Sequence, residues 1–313
     1  MPILIAVAFT ACIDEDLSKC GINYRIDYTV RLRTNLHQKI NSELTTPAER
    51  VIGEQIEKAL NNVFTDITRD VDLSFYTRHT PAHHEQHRPE AGTSSFTVYL
   101  PVDDYRHYAI ANCESEPAVT VDNRDSDLTL QLSDAATDTV DSHSIGLFTA
   151  NFPITIEQRD QVLNVDLYMK NCATALVIDN HGHTTEEISG YVKGMAGAFN
   201  VYDSTFIYRN SVLRTRLLHD ANYSVIYTAG FPSPNTPRTK GDEEGLWQIN
   251  VYVKSNGKYT ESVLHIHEPL EAGDLKIIKA HIGDHGEIVA DTPEVGVSVT
   301  LDWKPGGDHN IEI

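Results

Sequence analysis

The chain has 313 residues, enough for two domains, and 40% of them are hydrophobic, so a core can be buried and wholesale disorder is excluded. With 45 acidic against 25 basic residues the formal charge is −20, which argues against nucleic acid or an anionic membrane face as a partner.

The first element is the apolar run Ile3 to Phe9, followed by the small residues Thr10 and Ala11, by Cys12, and by the acids Asp14, Glu15 and Asp16. An apolar stretch, a small residue before the cut and a cysteine that becomes the new N-terminus form a bacterial lipoprotein signal. The run is far too short for a bilayer-spanning helix, which needs about 20 residues. Residues 1–11 are therefore expected to be a signal segment and residues 12–22 a tether lipidated at Cys12. Burial of acyl CH₂ groups at about 0.8 kcal/mol each would hold the protein to the membrane. No Lys or Arg precedes the run, so the natural chain is expected to start upstream. Cys20, Cys113 and Cys172 remain, in a compartment that permits disulfides. One bridge and one free thiol are expected, with the pairing open.

From Tyr24 the pattern changes. Tyr24, Ile26, Tyr28, Val30 and Leu32 alternate with Arg25, Asp27, Thr29, Arg31 and Arg33, which predicts a half-buried strand with a basic polar face. A helix follows: Thr46 caps it, Pro47 takes its first position, and Glu49 completes a capping box ahead of the stripe Ile52, Ile56, Leu60, Val63. Strands resume at Val71, Leu73 and Phe75 and break in the polar run Arg78 to Ser94. They return at Phe96 to Val102, at Tyr108 and Ile110, and at Leu128 to Leu132. Residues 133–144 read as a loop, and the polar stretch Asn151 to Asp160 as a domain boundary.

The second half has the same grammar. Alternation at Leu163 to Met169, Ala173 to Ile178, Ile188 to Val192, Phe199 to Tyr208, Val212 to Leu217 and Tyr223 to Ala229 predicts strands. Pro232, Pro234, Pro237, Gly241 and Gly245 mark a long surface loop. Trp247 to Val253 leads into Asn256-Gly257, a hairpin signal because both residues accept positive φ. Further strands are expected at Val263 to Ile266 and Leu275 to Ile282. Val295, Val297, Val299, Leu301 and Trp303 close the chain as a strand with five in-facing apolar side chains. The fold class is all-β with one or two helices, arranged as two tandem antiparallel β-sandwich domains over 23–158 and 159–313.

Candidate chemistry is sparse. The chain holds 15 histidines, and His79, His83, His84 and His87 crowd one polar run, with His265 and His267 on one strand face. Zinc needs three or four ligands converging in a fixed frame, so these read as solvated loop histidines, and no metal or other cofactor is expected. There is no His-Glu-x-x-His, no Gly-x-Ser-x-Gly and no glycine loop for phosphate. Asp70, Asp72, Asp103 and Asp104 fall at strand ends or turns, where acids face water, so no catalytic residue is assigned and an enzyme is not expected. Tyr105, Tyr108, Tyr202, Tyr208, Tyr223, Tyr227 and Trp247 could stack on sugars, but their strand positions point to core filling.

The segment Cys12, Ile13, Asp14, Glu15, Asp16, Leu17, Ser18, Lys19, Cys20, followed at once by the Tyr24 to Leu32 strand, resembles the N-terminus of the fimbrial anchor lipoproteins of Bacteroidales, the fimbrillin-associated anchor proteins. The ending Leu301, Asp302, Trp303 with a final Ile311, Glu312, Ile313 is similar to that family's C-terminus. The resemblance implies two β-sandwich domains of transthyretin-like topology and a place at the base of a type V pilus on the outer membrane, facing the cell surface. Fimbrial subunits would be its partners. The acids after Cys12 resemble the surface-export signal of these bacteria. In the resembling pili a structural subunit loses its N-terminal strand to an arginine-specific protease, and an anchor is expected to keep it. A surface-exposed glycan-binding lipoprotein, with the same lipidation signal and sandwich, is the alternative.

Overall fold

The structure, a computed structural model, describes residues 22–33, 40, 43–79, 82–90, 93–134, 138–220, 222–236, 245–292 and 295–303, the last three as backbone. In chain order, β1 (Asn23–Arg33) is followed by helix α1 (Pro47–Leu60), β2 (Val71–Tyr76), β3 (His83–His87), β4 (Ser95–Pro101), β5 (Asp103–Ala111), β6 (Val119–Asp122), β7 (Gln131–Asp134), β8 (Thr139–Val140) and β9 (Phe148–Ile156). Next come β10 (Gln161–Met169), β11 (Cys172–Asp179), β12 (Glu187–Lys193), β13 (Ala196–Asn200), β14 (Thr205–Tyr208), β15 (Val212–Arg214) and β16 (Arg216–His219). The last strands are β17 (Tyr223–Gly230), β18 (Trp247–Ser255), β19 (Lys258–Ile266), β20 (Leu275–Ile282), β21 (Ile288–Ala290) and β22 (Val295–Trp303). The fold is all-β.

Four sheets form. A seven-stranded sheet runs β3-β2-β5-β9-β10-β1-β4, a five-stranded sheet β16-β17-β11-β20-β21, a six-stranded sheet β22-β19-β18-β12-β15-β8, and a four-stranded sheet β14-β13-β7-β6. Most neighbours are antiparallel as expected, but β1 lies parallel to β10, β11 to β20, and β8 to β15. These parallel pairs join segments far apart in sequence, and side-chain alternation carries no information about direction.

Helix α1 starts as its capping box dictates: Thr46 Oγ1 accepts from the Glu49 amide, and Glu49 Oε2 accepts from the Thr46 amide at 2.8 Å. Its stripe, Ile52, Ile56 and Leu60, is buried in one core with Ile26, Tyr28 and Val30 of β1 and Leu73 and Phe75 of β2. That core also takes in Ala173, Ala175 and Val177 of β11 and Leu275 and Ile277 of β20. The opposite faces of the same two strands, Cys172, Leu176, Ile178, Ile278 and Ala280, belong to a second core with Ile249, Val251 and Leu264 of the six-stranded sheet. Every residue of β11 except Asp179 is buried, because the five-stranded sheet is covered on both sides. A third core lies between the four-stranded sheet and the outer face of β2 and β5, around Tyr76, Tyr108, Leu132 and Phe199.

Three sequence expectations change. The boundary expected at 158/159 falls between β9 and β10 of one sheet: β10 pairs with β1 from Ile26↔Gln161 to Arg33↔Tyr168. The polar stretch from Asn151 is part of β9, its Asn151 Nδ2 donating to the carbonyls of Val201 at 2.7 Å and Tyr202 at 2.5 Å. The last strand β22 does form, but at the edge of its sheet: Val295 and Val297 are only partly buried and Val299 is 44% exposed. The side chains of Leu301 and Trp303 lie outside the described residues.

Candidate functional site

The segment that would join a membrane tether to the fold is β1. Its alternation is as expected, with Ile26, Tyr28 and Val30 buried and Arg25, Arg31 and Arg33 exposed. Both edges are used: β4 pairs along Asn23↔Pro101 to Thr29↔Ser95, and β10 along Ile26↔Gln161 to Arg33↔Tyr168, so Ile26 to Thr29 are paired on both sides. On the outer face Arg25 Nε meets Asp27 at 2.9 Å and Arg33 meets Asp166 at 3.3 Å. Such exposed pairs are worth about 0–1 kcal/mol each, so the strand is held by its ladders and its buried side chains.

Across the core from β1 sits a residue that the sequence reading did not single out. Tyr28 and the fully buried His107 of β5 are 2.6 Å apart, oxygen to Nε2, and His107 Nδ1 is 3.0 Å from the Ser74 carbonyl. A carbonyl only accepts, so Nδ1 carries the proton and Nε2 receives the Tyr28 hydroxyl. The ring stacks on Phe75 at 4.2 Å. Burial pushes the imidazole down to about 4, against the Ser74 hydrogen bond, and pushes the Tyr28 hydroxyl well up. The signal available was position: 107 shares a face with buried Tyr105 and Ala109 in an alternating strand.

The remaining candidates are placed as follows. Cys12 and Cys20 lie outside the described residues. Cys113 and Cys172 are both free and buried, in different cores, so they do not bridge one another. Burial raises the Cys113 thiol to about 12 and the Cys172 thiol further. The histidine run is not a loop. Residues His83–His87 form β3, paired with β2 from Phe75↔His83 to Val71↔His87, so tertiary pairing overrides a composition with no apolar residue. His84 Nδ1 lies 2.9 Å from Ser74 Oγ, while His83 and His87 flank Glu85 at 2.7 and 3.0 Å. Among the described residues no group of three or more His, Cys, Asp or Glu is arranged to hold a metal ion. Asp70 and Asp72, expected in water, are 2% and 5% exposed. Asp70 accepts the amides of Glu114 and Ser115, both at 3.0 Å, and Asp72 pairs with Arg124. Tyr105, Tyr108, Tyr227 and Trp247 are buried core residues, and Tyr202, Tyr208 and Tyr223 are partly buried against the cores. Among the described residues no helix is long and apolar enough to cross a membrane.

The profile of the fimbrillin-A associated anchor proteins Mfa1 and Mfa2 matches residues 69–305 of this chain. The chain belongs to that anchor-protein family. The matched range spans strands β2 to β22, so the family assignment rests on the folded body and is independent of the N-terminal signal. Solved structures agree on the fold. A candidate adhesin from Bacteroides ovatus superposes with TM-score 0.52 at 11% identity, covering 82% of this chain and 87% of its own. A candidate polysaccharide-binding protein from Bacteroides thetaiotaomicron gives 0.52 at 13% identity, over 87% and 97%. A candidate adhesin from the same species gives 0.51 at 8% identity, over 92% and 100%. No curated protein matches in sequence. The anchor-protein family is not an enzyme family, and its members are associated with fimbrillin.

Proposed function

We propose that this chain is an outer-membrane lipoprotein, facing the cell surface, that holds the base of a fimbria and ends the polymer there by keeping its own N-terminal strand. The observation that carries the reading is the setting of β1. Pulling β1 out breaks ladders to β4 and β10 together and uncovers Ile26, Tyr28 and Val30, each worth about 1.5–3 kcal/mol of burial. A tether attached there transmits load into a strand paired on both sides, next to the edge strand β4. Membership of the anchor family supports fimbrial subunits as the partner, and the surface character of the candidate adhesins of like fold supports the location. Acyl chains on Cys12 would supply the membrane contact.

Protease sites are unfavourable in this setting. Arg25 is paired to β4, Arg31 and Arg33 are paired to β10, and Arg50 lies in the first turn of α1, so backbone hydrogen bonds keep each of them out of an extended protease cleft. Mature protein from the cell surface is expected to begin at acylated Cys12 by N-terminal mass mapping, and Cys12→Ala to move it to the soluble fraction. Material starting after Arg33 or Arg50 would make the chain a polymerising subunit, and an unlipidated variant that stays in the outer membrane would remove the anchor.

A further inference from the structure

A cleft of about 880 Å³ opens on the outer face of the seven-stranded sheet, between the turn after β2, the 123–128 loop and the turn from β13 to β14. Its loop wall is fixed from below. Tyr76 and Tyr108 stand on the outer face of β2 and β5, and their hydroxyls donate to the carbonyls of Arg124 at 2.5 Å and Asp127 at 3.0 Å. Arg124 also pairs with buried Asp72, and Asn123 turns the chain with a φ of 58°. This presents Asp125, Ser126 and Asp127 to the cleft. Arg106 lies over the Tyr202 ring at 5.0 Å and donates to the Tyr202 carbonyl at 3.1 Å, and Arg78 also lines the cleft.

The chemistry of the lining selects a ligand class. Asp104, Asp125 and Asp127 face Arg78 and Arg106, which leaves the lining of mixed sign with one carboxylate in excess, so neither a polyanion nor a strongly basic ligand is favoured. Among the described residues the side chains of Asp125, Asp127 and Arg78 make no hydrogen bond or ion pair, leaving acceptors and a donor at one opening. Leu128, 55% exposed, and the part-buried Tyr202 add apolar surface beside them. The strands beneath the cleft offer an extended peptide no edge to join, because β2 is paired with β3 and β5, and β5 with β2 and β9. Sugar hydroxyls both donate and accept, and sugar C–H faces lie well on aromatic and aliphatic groups. We propose that this cleft binds a neutral oligosaccharide, its hydroxyls held by Asp125, Asp127 and Arg78 against Leu128 and Tyr202.

The proposal stands apart from the anchor reading, and its test does too. The purified full chain is applied to an array of neutral and acidic oligosaccharides, and hits are measured by calorimetry. Binding to a neutral glycan is expected, weakened at least tenfold by Asp125→Asn with Asp127→Asn and several-fold by Arg78→Ala, with thermal midpoints unchanged because these side chains are not core residues. No neutral hit, hits confined to acidic glycans, or a neutral hit of equal affinity in the double variant would each overturn it. Loss of fimbrial-subunit binding in the double variant, without any glycan binding by the parent, would do so as well and would make the cleft a protein contact.

Discussion

His107 is neutral in the folded chain because its surroundings leave no place for a second proton. Nε2 faces the Tyr28 hydroxyl, Nδ1 already donates to the Ser74 carbonyl, and Phe75 and Phe152 close the ring on two sides. The unfolded imidazole takes a proton near 6.5 and the folded one only near 4. Above 6.5 both states are neutral and the folded state has its full stability. As pH falls below that, the unfolded state binds a proton that the folded state refuses, and stability drops until about pH 4, where the loss levels off. Between pH 7 and pH 5 this residue alone is expected to cost about 2 kcal/mol. Urea midpoints of the parent and of His107→Gln at the two pH values would show it: the variant starts lower but has the shallower pH slope. Parallel slopes would mean that His107 is protonated in the fold.

At the scale of elements, alternation and capping were legible, and so was the hairpin. Asn256 and Gly257 turn with φ of 52° and 74° between β18 and β19, the left-handed pair that the sequence demanded. What could not be read was which strands are inner. β3 has no apolar residue and exists through its ladder to β2, while β6 and β21 are strands of four and three residues, shorter than any periodicity window. β22 is the reverse case, since five apolar residues on one face promise burial that an edge position does not deliver. Leu264, paired beside Val297, is fully buried, whereas Val299 is 44% exposed. Leu264→Ala is therefore expected to cost about 2–5 kcal/mol, and Val299→Asp less than about 1 kcal/mol. Chemical denaturation of the two variants separates the cases; a Val299→Asp protein that fails to fold would place that strand in the core.

At the scale of the molecule, the five-stranded sheet decides how the chain behaves. Sequence alternation in β11 gives apolar residues at nearly every position, which is what a sheet buried on both faces requires, but the run Ala173 to Ile178 does not say that the two faces serve different cores. Small residues, Ala173 and Ala175, face the helix side, and Leu176 and Ile178 face the six-stranded sheet. Further ties cross the expected boundary: Lys279 of β20 reaches Glu49 of α1 at 2.7 Å, β8 pairs with β15, and β7 pairs with β13. Burial works against the Glu49 charge, yet Lys279 and the Thr46 amide outweigh it and hold the carboxyl at about 2. Near the junction Glu116 accepts the amides of Ala118 and Ile145, and His143 bridges Asp134 and Asn171 at 2.9 Å on each side. A chain cut at 158/159 loses β10 from beside β1 and one whole wall of the α1 core, so fragments 23–158 and 159–313 are each expected to be unfolded alone, by circular dichroism and amide dispersion, and to regain structure only when mixed. The intact chain should melt in one transition by calorimetry, because no sheet can leave without opening a core that another shares. Two well-separated transitions, or a folded 23–158 fragment, would return the chain to two independent domains.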